Sequence, residues 1–174
     1  MPDKRNDDKY QSIIEQSKKH LKEKKETRVE EELVKVVIFS LKGVFYAFYG
    51  ELVKGILPYT PVTFVPGCPD YILGIINVRG DIESVININH FIGSQSGPVD
   101  AKRRIVIAEA VDIRSGIVVD SVEDVVDVPV GSISPSISTI DQSVKEFVEG
   151  EFQYKSSLVT VFNLERIFSR IDTD

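Results

Sequence analysis

Leu73-Gly74-Ile75-Ile76-Asn77-Val78-Arg79-Gly80-Asp81-Ile82-Glu83-Ser84-Val85-Ile86-Asn87-Ile88-Asn89-His90-Phe91-Ile92-Gly93 decides how the rest of the chain is read. An apolar strand runs into Arg79-Gly80 and returns as a second apolar strand that ends at Asn87. A short turn of helix and Gly93 follow. Glycine permits the backbone angles of a tight turn, so the stretch is a hairpin leading into a corner. Nothing in it is equipped for bond-making chemistry. Arg79 has two readings from the residues alone. It is a solvated hairpin tip, or it is an anchor whose rigid guanidinium fork pairs with a partner carboxylate.

The corner has an echo. Val85-Ile86-Asn87-Ile88-Asn89-His90-Phe91-Ile92 resembles Val161-Phe162-Asn163-Leu164-Glu165-Arg166-Ile167-Phe168. Each is a strand end, an asparagine, then apolar residues at helical spacing. Asparagine is a favoured helix N-cap because its side-chain oxygen accepts an orphan backbone N–H. Two such corners, capped by Asn87 and Asn163, imply a body of two similar halves.

Outward from these corners, apolar runs recur about every ten residues between Gly, Pro and Ser breaks. They are 34–41, 44–49, 62–65, 72–78, 82–88, 104–110, 116–119, 122–128 and 158–162. The spacing predicts an all-β barrel or sandwich. Lys42-Gly43 reads as a hairpin turn. Pro58, Pro61, Pro66 and Pro69 confine their segment to loop or edge positions. Residues 94–102 and 131–150 read as polar connections, the second a long, partly mobile excursion. Residues 1–32 form a separate charged extension, distinct from the body at 33–174. Tyr10, Ile13, Ile14, Ser17 and Leu21 outline a marginal amphipathic helix there, solvated or frayed when alone.

Composition excludes several classes. Acidic and basic residues balance over 1–32, so the whole net charge of −6 sits on the body. An acidic body without a basic stripe argues against nucleic acid and against anionic membrane surfaces. One cysteine, Cys68, permits no internal disulfide, and no signal segment or membrane-length apolar run is present, which points to the cytoplasm. His20 and His90 lack matched metal ligands, no Gly-rich phosphate loop or nucleophile elbow occurs, and Cys68 has no neighbouring base. Asp120, Glu123 and Asp124 make a small acidic cluster whose acids are expected to face water while the intervening valines pack. No catalytic residue, cofactor or metal site is predicted.

Gly74-x-x-Asn77-x-Arg79-Gly80-x-Ile82 with Val85-Ile86-Asn87 and Gly93 resembles the signature segment of the CheW family of chemotaxis coupling proteins. Phe39-x-Leu41-x-Gly43-x-x-Tyr46 is similar to the family's opening hairpin. Pro61–Pro66 and Pro69–Ile72 are similar to its approach to the signature, and Gly116–Val125 to its second signature. The resemblance covers Leu33 to Ile171. It implies a mainly β fold of two packed five-stranded SH3-like barrels around a shared core, with short helices. It also implies a non-enzymatic adaptor joining the cytoplasmic tip of a chemoreceptor to the regulatory domain of a CheA-type histidine kinase. The runner-up is a docking module of another two-component system without chemoreceptors. Carried over by position, Val53, Gly74, Arg79, Gly116, Val122 and Val125 match places linked to partner contact. Gly55 stands where the family usually has glutamate, a change that alters charge complementarity on a contact surface. Ser84 replaces a usual proline, Asn87 and Asn163 replace aspartates, and Glu83 and Asn89 are atypical. These departures imply a paralogue with a specialised partner.

Overall fold

The computed structural model describes residues 31–93, 101–135 and 142–173, with Glu15 alone ahead of them. The strands are β1 Leu33–Leu41, β2 Val44–Tyr49, β3 Val53–Pro58, β4 Ile72–Val78, β5 Asp81–Ile86, β6 Arg104–Ala110, β7 Ile113–Val119, β8 Ser121–Pro129, β9 Val148–Tyr154 and β10 Ser157–Phe162. Helices α1 Gln142–Lys145 and α2 Leu164–Thr173 accompany them, with 3-10 turns at Gly50–Leu52, Ile88–His90 and Val130–Ser132. The helix expected around Tyr10–Leu21 lies outside the described residues, Glu15 excepted.

Tight turns fold the strands into hairpins. Lys42 (φ 51°) and Gly43 (φ 77°) join β1 to β2, and Arg79 (φ 57°) and Gly80 (φ 104°) join β4 to β5. Left-handed residues of this kind match the twist of the flanking strands. The hairpins assemble into two five-stranded sheets, ordered β8-β1-β2-β10-β9 and β3-β6-β7-β5-β4. The middle of the chain supplies the second sheet whole, and the two ends of the body together supply the first. In each, one inner pair is parallel (β10 with β2, β5 with β7) and the other pairs are antiparallel. The orders are therefore one topology entered at two points, with β8, β1, β2, β10 and β9 matching β3, β6, β7, β5 and β4.

Both sheets close into barrels by the same device. Thr63, beyond β3, exchanges two 2.9 Å backbone hydrogen bonds with Ile75, and Ser134, beyond β8, does the same with Glu151. A glycine makes room at each closure. A Cβ on Gly74 would lie 2.1 Å from the Thr63 carbonyl oxygen, and one on Gly150 would lie 2.8 Å from that of Ser134. The echoed corners are structural equivalents as well. Asn87 Oδ1 accepts from Asn89 N at 3.2 Å and Asn163 Oδ1 from Arg166 N at 2.9 Å. Each barrel has its own interior, one around Val36, Ile38, Ala47, Phe152, Val159 and Val161, the other around Ile76, Val85, Ile105, Ile107 and Val118. A larger central cluster takes the opposite faces of both sheets together with α2: Phe39, Phe48 and Phe162 with Val106, Ile117, Leu164, Ile167 and Phe168.

Three expectations need correction. Residues 62–65 form no strand; Thr63 alone bridges to Ile75, since Pro61 and Pro66 remove donors a ladder would need. The segment 53–58 is a strand, and 148–154 is another, which begins inside the polar connection expected at 131–150 and runs beyond it. In β9 the buried set is Val148, Gly150 and Phe152, with Glu149 and Gln153 exposed. That alternation is a strand signal that the glycine and the acids dilute.

Candidate functional site

Val53 and Val122 lie on the edge strands of different sheets, β3 and β8, and both pack half-buried against the central cluster. Val122 stands opposite Phe39 and Val125 opposite Val37. Phe39 and Val37 are two residues apart on β1 and share its face. Val125 therefore belongs to the same face as Val122, where it remains 47% exposed. Gly55 is half-buried on β3, and a Cβ built on it would meet nothing within 4 Å. A side chain there meets no clash at its Cβ.

The other positions fall elsewhere. Gly74 and Gly116 are buried, and a Cβ on Gly116 would come within 2.8 Å of the Ile105 side chain. Close packing accounts for glycine at both. Arg79 is exposed at the tip of the β4–β5 turn, which a 3.0 Å bond from Gly80 N to Asn77 Oδ1 braces. It takes part in none of the ion pairs among the described residues. The seven positions thus divide into three valines on one face of the edge strands, Gly55 on the opposite face of β3, two packing glycines and one projecting arginine. A separate cleft of about 440 Å³, lined by Val111, Phe147 and Arg166 among others, contains none of them.

The acidic cluster is more than a solvated row. Val122 packs as expected, whereas Val125 is left exposed. Asp120 Oδ2, however, accepts from Lys42 N at 2.7 Å, closing the β1–β2 turn. Glu123 accepts a hydrogen bond from Ser121. Asp124 accepts from Tyr154 Oη and, at 2.9 Å, from Val125 N. Lys155 Nζ is 3.9 Å from its carboxylate and 4.6 Å from the centre of the Tyr154 ring. The Tyr154 bond, then the Val125 N–H and Lys155, hold the Asp124 carboxyl below its ordinary range, and Tyr154 and Asp124 raise Lys155. Acceptors bonded to donors favour the ionised form. Tyr154 and Lys155 were invisible as partners of Asp124 because β9 itself was not read as a strand.

The CheW-like domain family profile matches residues 35–172, the whole two-barrel body. The chain belongs to the CheW-like family. The crystal structure of the scaffolding protein TtCheW from Thermoanaerobacter tengcongensis superposes with a TM-score of 0.70 at 30% identity, over 79% of this chain and 88% of that one. The probable chemotaxis protein CheW of Rhizobium etli is 27% identical over 70% of this chain and 79% of its own length. The chemotaxis protein CheW of Bacillus subtilis is 26% identical over 78% and 87% respectively. Protein PilI of Pseudomonas aeruginosa is 26% identical over 66% of this chain, which spans 64% of PilI. The CheW-like fold accounts for the paired barrels, and its shared core is the central cluster that Val53 and Val122 border. Among the described residues, no helix is long and apolar enough to cross a membrane.

Proposed function

We infer that the protein is a cytoplasmic, non-enzymatic adaptor of chemotaxis signal transduction. It couples the cytoplasmic tip of a chemoreceptor to the regulatory domain of a CheA-type histidine kinase. The observation that carries this reading is the pair of edge strands whose Val53 and Val122 border one apolar cluster, with Val125 left exposed beside them. Such a face suits a helical partner, since amphipathic helices dock by laying apolar residues into apolar grooves. Arg79, projecting from a braced turn without an ion pair among the described residues, suits a partner carboxylate. Individual contacts of roughly 1,000 Å² would be reversible alone and firm when several act together. No cofactor, metal or nucleic acid enters this reading.

Arg79→Ala tests it. The variant is expected to weaken binding to the receptor tip or the kinase domain by about 2 kcal/mol, measured by titration calorimetry. Unchanged affinity for both would reduce Arg79 to an ordinary surface residue. A second reading has one observation behind it, the similarity to PilI, which is not named as a chemotaxis protein. In that reading the chain is a docking module of another two-component system. Recovery from cells of a different sensor protein, with neither chemoreceptor nor CheA-type kinase, would favour it.

A further inference from the structure

The interiors of the two barrels differ at one rung. Asn87 and Asn163 cap equivalent corners, so Glu83 on β5 corresponds to Val159 on β10. The parallel rungs Ser84–Ser115 and Thr160–Tyr46 then make Arg114 on β7 correspond to Phe45 on β2. The edge strands align in the same way. The register of β8 steps past a bulged Glu123 to set Asp124 opposite Ile38, and that of β3 steps past a bulged Lys54 to set Gly55 opposite Ile107. Gly55 therefore corresponds to Asp124. In the first barrel, Val159 and Phe45 share a rung and pack in an apolar interior. In the second, Glu83 stands opposite Ile76, a residue of that barrel's interior, with its side chain only 7% exposed. Arg114 Nε lies 2.8 Å from Glu83 Oε1. The Arg114 side chain is 44% exposed and makes no other ion pair or hydrogen bond among the described residues.

A buried ion pair adds little stability over apolar residues of similar volume, and the first barrel builds the same topology with an apolar pair. The fold therefore does not require these charges. What the pair does is hold a guanidinium in place: Nε is engaged by Glu83, and both Nη groups are left without an acceptor. Strands β5 and β7 run parallel, so Arg114, near the start of β7, lies at the same end of the barrel as Arg79, which precedes β5. The surrounding charges decide which acceptor suits it. Glu83 already neutralises Arg114, and the exposed Glu109 stands opposite Arg114 on β6. A further carboxylate is repelled there, whereas a neutral carbonyl is not. We propose that Arg114 is a specificity-determining residue of the adaptor, positioned by Glu83 to donate to a main-chain carbonyl of a partner. This rests on the adaptor reading but on a different surface from the valines of β3 and β8. A guanidinium fixed beforehand loses little side-chain freedom on binding.

Calorimetric titration of the full chain with the receptor tip fragment, and separately with the kinase regulatory domain, tests this at low and at raised salt, with urea denaturation as the check on folding. Arg114→Lys keeps a cation beside Glu83 but loses the outer Nη donors. It is expected to bind one of the two fragments about tenfold more weakly, by a factor that salt leaves unchanged because the acceptor carries no net charge. Glu83→Val combined with Arg114→Phe installs the first barrel's apolar pair. That double variant is expected to keep or raise the urea midpoint and yet to bind as weakly as Arg114→Lys. If it loses stability instead, Arg114→Lys alone decides. Parental affinity of Arg114→Lys for both fragments overturns the proposal and leaves the adaptor reading intact. A loss that raised salt abolishes also overturns it, because the acceptor is then a carboxylate. Failure of the parent chain to bind either fragment removes the adaptor reading and this proposal with it.

Discussion

In the first barrel, edge strand β8 meets the β9–β10 turn through Asp124, Tyr154 and Lys155. The corresponding places in the second barrel are Gly55, Val78 and Arg79. One seam is tied by a carboxylate, a phenol and an ammonium. The other has no side chain where the carboxylate would stand, a valine in place of the tyrosine, and an arginine at the turn without an ion pair among the described residues. Two copies of one topology have thus been finished differently, and on the adaptor reading proposed above the difference separates structural from recognition roles. Lys155 is engaged inside its own barrel; its counterpart Arg79 is left to reach outward.

The closures offer the hardest test of that equivalence. Gly74 and Gly150 occupy matching places, but Gly74 has φ 138° and a would-be Cβ 2.1 Å from a backbone oxygen, whereas at Gly150 the nearest approach is 2.8 Å. A backbone oxygen held in a closing bridge cannot step aside. Gly74→Ala is therefore expected to destabilise the protein by about 3 kcal/mol or more, and Gly150→Ala by about 1–2 kcal/mol. Urea denaturation of both variants measures this. Equal losses would mean that the backbone angle at Gly74 contributes little, and that the two closures are alike in strain as well as in hydrogen bonding.

Putting a carboxylate on the open seam sharpens the comparison. A Cβ at Gly55 meets nothing within 4 Å, and by the strand correspondence a carboxylate placed there is expected to stand toward Arg79 as Asp124 stands toward Lys155. Gly55→Glu is expected to engage Arg79 internally and lower affinity for the chain's own partner by about 1 kcal/mol. The same calorimetric titration reads it out. If Arg79→Ala removes affinity in the parent but not in the Gly55→Glu background, the two residues are coupled. Independent losses would place the glutamate's effect on the partner alone.

What could be read from the sequence was what local chemistry determines. Lys42-Gly43 and Arg79-Gly80 mark hairpins because left-handed turns favour such residues, and Asn87 and Asn163 mark corners because their side chains satisfy helix-end N–H groups. The Val111-Asp112 turn gives no such signal. Val111 holds φ 47°, an angle that β-branched residues avoid and that the pairing of β6 with β7 imposes. Strands β3 and β9 escaped notice because they lie at sheet ends, where Gly55 and Gly150 interrupt short runs mixed with Lys54, Glu149 and Glu151. Of the candidate site, Val122 and Val125 were visible as residues, but their shared face was not. It depends on a bulge that only the pairing of β8 with β1 creates.

The smallest effect expected from the two seams concerns acid. The Tyr154 bond, with the Val125 N–H and Lys155, keeps the Asp124 carboxyl below its ordinary range in the folded state. Its contribution to stability is therefore fully present above the unfolded carboxyl pKa of about 3.9 and is lost as pH falls through the lower, folded value. Because the group is solvent-exposed, the contribution is screened and small. Asp124→Asn is expected to lower stability slightly at neutral pH and to make no further difference once the pH is below the folded value, where the parent's carboxyl is itself neutral. Urea midpoints of parent and variant at neutral pH, and at successively lower pH, measure the convergence. Since Gly55 offers the second barrel no counterpart to titrate, Gly55→Asp should add an acid-sensitive increment if the seams are equivalent apart from this residue. A pH-independent gap between parent and Asp124→Asn would mean that Tyr154 holds β8 through geometry, with the charge on Asp124 contributing nothing to the first seam.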